Sequence, residues 1–222
     1  MITLHLLAQS RALRIVWLLE ELGLDYQLKQ YARDSQTLLA PDSLKQVHPL
    51  GKSPILQDGE QVLTESGMIT DYLISRYGQQ LMPEYGSADY WAYQRWLHYA
   101  EASLMPLLLM SLVFQRVESS PMPFFVRPIA RKISGSVKQS FLHPQLALHL
   151  AHVERELTGK TWLMGEKLSG ADIMMSYPLQ AARMRLDMSQ YPQIARYLAQ
   201  IEQGAAYQRA VEKAGEPLLK LK

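Results

Sequence analysis

The chain contains no cysteine. That excludes a disulfide framework, a thiolate metal site and a protein thiol nucleophile. It also lacks a dominant charge. Lys and Arg number 23 against 21 Asp and Glu, interspersed, so no basic stripe marks a nucleic-acid surface. No charged segment precedes an apolar core at the start, so a secretory signal is not expected. The longest apolar run, Leu104 to Phe114, is interrupted by Pro106 and is too short to span a bilayer. Repeats and low-complexity segments are missing as well. What remains is an ordinary globular balance, 48% hydrophobic and 20% charged over 222 residues, enough for one large or two small domains. A cytoplasmic protein is expected, with neither a nucleic-acid nor a membrane partner.

The informative stretch runs from His48 to Gly67. Pro54 precedes Ile55-Leu56 and opens a strand, a place where a proline without an N–H is tolerated and a cis bond is a deliberate feature. Asp58-Gly59 is a hairpin turn, returning Gln61 to Thr64 antiparallel. Ser66 is expected to cap a helix carrying Ile69, Tyr72 and Leu73. Lys52 offers a cation, the Ser53 backbone a free N–H and C=O, the helix start a partial positive charge, and Glu65 a partner for an ammonium. A small peptide with two carboxylates and one amine suits this set, and glutathione is such a peptide.

The rest of the chain gives the frame. Ile2 to Leu7 reads as a strand, and Ser10 precedes a helix over Arg11 to Leu22, with Ile15, Leu18, Leu19 and Leu22 on one face. Gly23 ends it, and Asp25 to Gln30 forms a second strand, parallel to the first. A short helix from Pro41 to Val47 follows. Gly78 to Ser87 reads as a linker. Beyond it come helices: Asp89 to Val117, Ile129 to Leu157 with a break near His143-Pro144, Ser169 to Arg183, Gln193 to Gln200 and Ala205 to Ala214. Ser169 and Asp172 form a capping box, flanked by Leu168 and Ile173 as its hydrophobic staple. Asp172 is therefore read as structural.

The His48–Gly67 stretch resembles the glutathione-binding half of the glutathione S-transferase family, with its G-x-x-P-x-L segment and its E-S pair. The Ser169–Asp172 box resembles the one at the core helix of that family's second domain. The resemblance implies an α/β plus all-α fold: a thioredoxin-like domain (βαβαββα) over residues 1–80, a linker over 81–88 and an all-helical domain over 89–222. It implies conjugation of the glutathione thiolate, a co-substrate, to small apolar electrophiles, with glutathione peroxidase side activity, in a homodimer without a metal. A non-catalytic binding protein and a glutathione-dependent disulfide reductase are the alternatives.

Such chemistry needs a donor to sulfur, because the thiolate is the nucleophile and a free thiol has a pKa near ~8.5. Ser10, four residues before Arg14, resembles the catalytic serine of the serine-type, bacterial-like members. Gln9 or a backbone N–H is the alternative donor. No tyrosine lies in the first strand. Two departures from the family pattern are Ala12, where a proline is usual, and Ser53, where an apolar residue often precedes the cis proline. The expected glutathione contacts are Lys52, Ser53, Pro54, Glu65 and Ser66. Tyr99, Met105, Leu108, Met110, Leu112 and Phe114 crowd the long helix as core or cleft residues. His98 and Glu101 are read chiefly as a solvated face, with reach toward a partner subunit as the alternative.

Overall fold

The structure, a computed structural model, describes residues 1–215; residues 216–222 of the expected helical domain lie outside the described residues. Four strands, β1 (Ile2–Leu7), β2 (Tyr26–Tyr31), β3 (Ile55–Asp58) and β4 (Gln61–Thr64), form one sheet in the order β2-β1-β3-β4. β1 and β2 are parallel, joined through α1 (Leu13–Glu21), while β3 runs antiparallel to both β1 and β4. Every residue of β1 is buried, as expected of a central strand. The Asp58-Gly59 turn forms with Gly59 at φ 61°, a conformation that glycine adopts without steric cost. With α2 (Asp42–Lys45) and α3 (Ser66–Tyr77) this is a thioredoxin-like domain, followed by an all-helical one.

The helical part comprises α4 (Ala88–His98), α5 (Met105–Ser119), α6 (Arg127–Val137), α7 (His143–Leu157), α8 (Gly170–Arg183), α9 (Pro192–Gln203) and α10 (Ala205–Ala214). One sequence expectation is corrected here, the break near His143-Pro144. Pro144 does not interrupt its helix, and Pro106 lies within the long helix as expected. Each follows a π-helical turn, Tyr99–Leu104 before α5 and Lys138–Leu142 before α7. A proline lacks the N–H for the i−4 bond and its ring clashes with that carbonyl. Widening the preceding turn to i+5 spacing relieves both problems and keeps the helix continuous. The helix from Ala88 to Ser119 therefore runs 32 residues, and by length and composition it is apolar enough to cross a membrane. Its buried residues, among them Tyr93, Trp96, Leu104 and Leu108, pack into the bundle core.

One apolar core runs through both parts, from Leu4, Val16 and Ile69 to Trp96, Met174 and Tyr197. α1 is its axis, packed on α8 and α10 as well as on α3. Glu20 ties the end of α1 to α10, accepting from Arg209 Nε at 2.9 Å and Lys213 Nζ at 2.5 Å. Burial raises its pKa, but the hydrogen bonds from Lys213, Tyr26 and Arg209 outweigh that and hold it below the ordinary value.

At the start of α8 the capping box forms, and Asp172, fully buried, takes four donors. They are the Ser169 N–H (2.8 Å) and hydroxyl (2.9 Å), the Leu163 N–H (2.9 Å) and the Tyr197 hydroxyl (3.0 Å). Burial still pushes the carboxyl up to about 6, against the pull of those donors toward the charged form.

Candidate functional site

The site begins where β1 runs out of partners. β1 pairs with β3 only as far as His5 opposite Ile55. One step further stands Pro54, which has no N–H to give, joined to Ser53 by a cis peptide bond. The Ser53 side chain takes over the ladder: its Oγ accepts the Leu7 N–H at 2.9 Å and donates to the His5 carbonyl at 3.3 Å. A hydroxyl at this position thus fastens the proline loop to β1. Its backbone N–H and C=O have no hydrogen-bond partner among the described residues.

A cavity of about 260 Å³ opens beside this loop. Lys52, Ser53, Pro54, Glu65 and Ser66 all line it, so these five sequence-predicted residues come together. His48 and Thr64, from the same stretch but not named as site residues, line it too, and so does Arg11, which no periodicity or motif in the sequence marks as a neighbour of Pro54. Glu65 is exposed and sits at φ 66°, turning the chain into α3.

Ser66 requires a correction. It is not the cap of α3 but its first residue, and Glu65 occupies the cap position without a side-chain hydrogen bond. The Ser66 Oγ is buried and has no hydrogen-bond partner among the described residues. The first helical bond of α3 runs from the Ile69 N–H to the Glu65 carbonyl. The N–H groups of Ser66, Gly67 and Met68 therefore precede the ladder. An unsatisfied helix start with an unpartnered hydroxyl, on a cavity wall that also holds Lys52 and Arg11, suits an anionic group.

Ser10 is buried and does not itself line the cavity wall. Its Oγ lies 3.4 Å from the Ser53 Oγ, which does, and accepts the Ala12 N–H at 3.2 Å. Helix α1 starts at Leu13 with Ala12 as its cap, two residues later than the sequence suggested, so Ser10 closes the turn leading into the helix. A hydroxyl accepting one N–H keeps its own proton for another acceptor. Gln9 stands exposed at φ 53°, and its carbonyl accepts Arg33 Nη2 at 3.3 Å.

Behind Ser10 the two parts of the chain are bolted together, and the residue responsible was misread. Glu101, in the π-helical turn before α5, pairs with both Arg11 and Arg14. It is neither a plain solvated face nor a side chain free to reach another subunit. Arg14 is only 2% exposed. It also donates Nη1 to the Met174 carbonyl at 2.9 Å. That carbonyl is free because its i+4 residue is Pro178, inside α8 and without an N–H. Burial lowers the Arg14 pKa while Glu101 raises it.

The remaining candidates divide. Leu108 is core, and Tyr99, Met105 and Phe114 pack against it, whereas Met110 is exposed. Tyr99 Oη meets His149 Nδ1 at 2.5 Å. His98 lines a second hollow of about 330 Å³ between α3 and α4 with Met68 and Asp71. Among the described residues no cluster of three His, Asp or Glu side chains could hold a metal.

Residues 1–75 match the family model "Glutathione S-transferase, N-terminal domain", and residues 141–200 match "Glutathione S-transferase, C-terminal domain". The chain is 38% identical to "Glutathione S-transferase 1" of Saccharomyces cerevisiae, over 96% of this chain and 95% of that one. It is 35% identical to "Glutathione S-transferase 3" of Schizosaccharomyces pombe, over 100% of this chain and 91% of that one. A solved glutathione S-transferase from Actinobacillus pleuropneumoniae superposes with a TM-score of 0.78 at 40% identity, covering 98% of this chain and 94% of that one. With both family models matched in order and such identity over nearly its whole length, the chain belongs to the glutathione S-transferase family.

Proposed function

We propose that this protein transfers the glutathione thiolate to small electrophiles. The observation that carries the reading is the convergence of Lys52, the unpaired Ser53 backbone, Glu65 and Ser66 on one cavity, with the Ser10 hydroxyl 3.4 Å from its wall at Ser53. Lys52 and the α3 start receive the carboxylates of the peptide, Glu65 its ammonium, and Ser53 its backbone. The Ser10 hydroxyl donates to sulfur and favours the charged form, in the manner of the serine-type members. Sulfur then attacks the electrophile, which sits against the helical domain. Peroxidase side activity would use the same thiolate. The functional division is residues 1–80 for glutathione, 81–88 as linker and 89–222 for the second substrate. A twofold homodimer and a detoxifying role in the cytoplasm complete the proposal, with no metal in the reaction.

The test is Ser10→Ala. If the hydroxyl supplies one to two pKa units, about 1.4 to 3 kcal/mol, the ultraviolet titration of bound thiol moves up by that amount. The acidic limb of kcat moves with it, and turnover at neutral pH falls about ten- to a hundredfold. Identical titration in both proteins reduces Ser10 to a turn residue and makes Gln9 or a backbone N–H the donor. Glu65→Ala should weaken glutathione binding about tenfold or more, since a charge-assisted bond contributes about 1.5–3 kcal/mol. Sedimentation at micromolar protein checks the dimer.

A further inference from the structure

α6 is built inside out. A surface helix normally turns its apolar residues to the core and its polar ones to water. α6 instead buries a serine, Ser134, whose Oγ has no hydrogen-bond partner among the described residues. Its two isoleucines, Ile129 and Ile133, are 60% and 59% exposed. They stand four residues apart, so they share a face. In the turn that leads into α6, Phe124 and Phe125 are 83% and 65% exposed, their rings edge to face with centres 5.6 Å apart. Single exposed apolar side chains are ordinary. Four large ones within ten residues form a patch of the kind that marks an interaction site.

The same stretch is cationic. Residues 119–153 hold four Lys and Arg and no Asp or Glu, in a chain whose whole net charge is +2. One of the four, Lys138, is paired with Glu118 at 2.8 Å. The other three, Arg127, Arg131 and Lys132, are exposed. Their side chains form no ion pair and no hydrogen bond among the described residues. They alternate along the chain with the exposed apolar groups: Arg127 follows the phenylalanines, and Arg131 and Lys132 stand between the isoleucines.

Charge selects the occupant. A second copy meeting this face across a twofold axis brings the same three cations, which repel. The surface of an anionic bilayer answers both features at once. Its negative potential attracts Lys and Arg, and its acyl boundary takes up exposed Phe and Ile. A helix with apolar side chains on one face and cations beside them, preceded by a pair of aromatics, has the composition of a helix that lies in such a surface. The sequence expectation of no membrane partner rested on the lack of a spanning run, and a helix lying in the surface needs no span.

We propose that α6 and the turn before it form a docking surface for an anionic lipid bilayer. Phe124 and Phe125 enter the acyl boundary, Ile129 and Ile133 lie at the headgroup level, and Arg127, Arg131 and Lys132 meet the anionic headgroups. The contact is peripheral and reversible. It stands independently of the transferase reading, since none of these seven residues lines the cavity beside Pro54.

The experiment sediments the full chain with vesicles of phosphatidylcholine, alone or with about 30 mol% phosphatidylserine, and reads the partition coefficient. Binding to the phosphatidylserine vesicles should be stronger by about a hundredfold, at about fivefold per cation, and should weaken as salt rises. Arg127→Gln, Arg131→Gln and Lys132→Gln together should remove most of that advantage. Phe124→Ser with Phe125→Ser should weaken binding to either vesicle by about tenfold or more. All five side chains are exposed, so the melting temperature should stay that of the wild type. Lys29→Gln, Arg155→Gln and Lys167→Gln, three exposed cations outside α6, serve as a control of equal net charge and should leave binding nearly intact. No binding to phosphatidylserine vesicles overturns the proposal, as does an equal loss in the control. A phenylalanine variant that binds vesicles like the wild type but sediments in solution as a smaller species also overturns it, and makes this face a contact between copies of the chain.

Discussion

Asp172 and Glu101 are two carboxylates that hold the helical domain in place, and they are built in opposite ways. Asp172 lies at 0% exposure and takes four neutral donors from its own domain, two of them from Ser169, three residues away. Glu101 keeps some contact with water and takes two cations from residues 87 and 90 positions distant, in the other domain. The first fixes how α8 starts. The second fixes how α8 and the π-turned helix sit on α1, and hence how the Ser10 turn is held against the helical domain. A local box stabilises one element; a long-range ion pair orients a site.

The largest effect should come from breaking the long-range member. Arg14→Leu leaves Glu101 with Arg11 as its one remaining cation and the Met174 carbonyl without a donor. Removing one partner of a buried pair costs about 3–5 kcal/mol, and Glu101's partial exposure and its remaining pair with Arg11 put the loss near the lower figure. The melting temperature should fall by about 6–12 °C, and turnover should fall in the folded fraction as the Ser10 loop loses its support. A melting point within about 2 °C of the wild type would remove the lock from the account.

The local member should instead reveal itself through pH. The Asp172 pKa is raised in the folded state, so the stability it contributes is fully present below the unfolded value of ~3.9 and is lost as pH rises through about 6. The advantage of the wild type over Asp172→Asn in denaturant melts should therefore shrink by about 1–3 kcal/mol between pH 4 and 7. An advantage growing over that range would mean that the four donors outweigh burial.

Pro178 sharpens the contrast. Pro178→Ala restores an N–H to the Met174 carbonyl within α8, so Arg14 is no longer its sole donor. Arg14→Leu should then cost about 1 kcal/mol less in the Pro178→Ala background, measured as a double-mutant cycle. Strict additivity would show that the Arg14–Met174 bond carries no weight beside Glu101.

Ser66→Ala marks the small end. The Ser66 Oγ has no partner among the described residues, so stability should change by no more than about 0.5 kcal/mol. Glutathione affinity should nevertheless fall, measured by calorimetry. A marked drop in melting temperature with unchanged affinity would restore Ser66 to the role of a helix cap.

The elements legible in the sequence are those made by neighbours. The Asp58-Gly59 hairpin, the β1–α1–β2 unit, the cis bond at Pro54 and the Ser169–Asp172 box follow from turn chemistry, hydrophobic period and i,i+3 spacing. Five of the six predicted site residues lie within the segment from Lys52 to Ser66, so their convergence needs only one hairpin and one helix start. The long helix through Pro106 was legible, but continuity at Pro144 was not, because a proline reads as a break unless the preceding turn widens. That widening depends on packing around the π turns rather than on the proline itself.

The sequence by itself determined that there would be no thiol chemistry from the protein, that a strand-opening proline and a glutamate–serine pair would stand one hairpin apart, and that α8 would carry its own cap. Each depends on residue identity and short spacing, which no tertiary arrangement can change. Only the tertiary structure decided that Ser66 begins α3 rather than capping it, since the Glu65 backbone turns through φ 66°. It alone decided that Glu101 binds Arg11 and Arg14 and that Arg14 answers the carbonyl freed by Pro178. Those contacts join residues up to 160 positions apart. Nothing in the local pattern at either end specifies the other; only a shared core brings them into range.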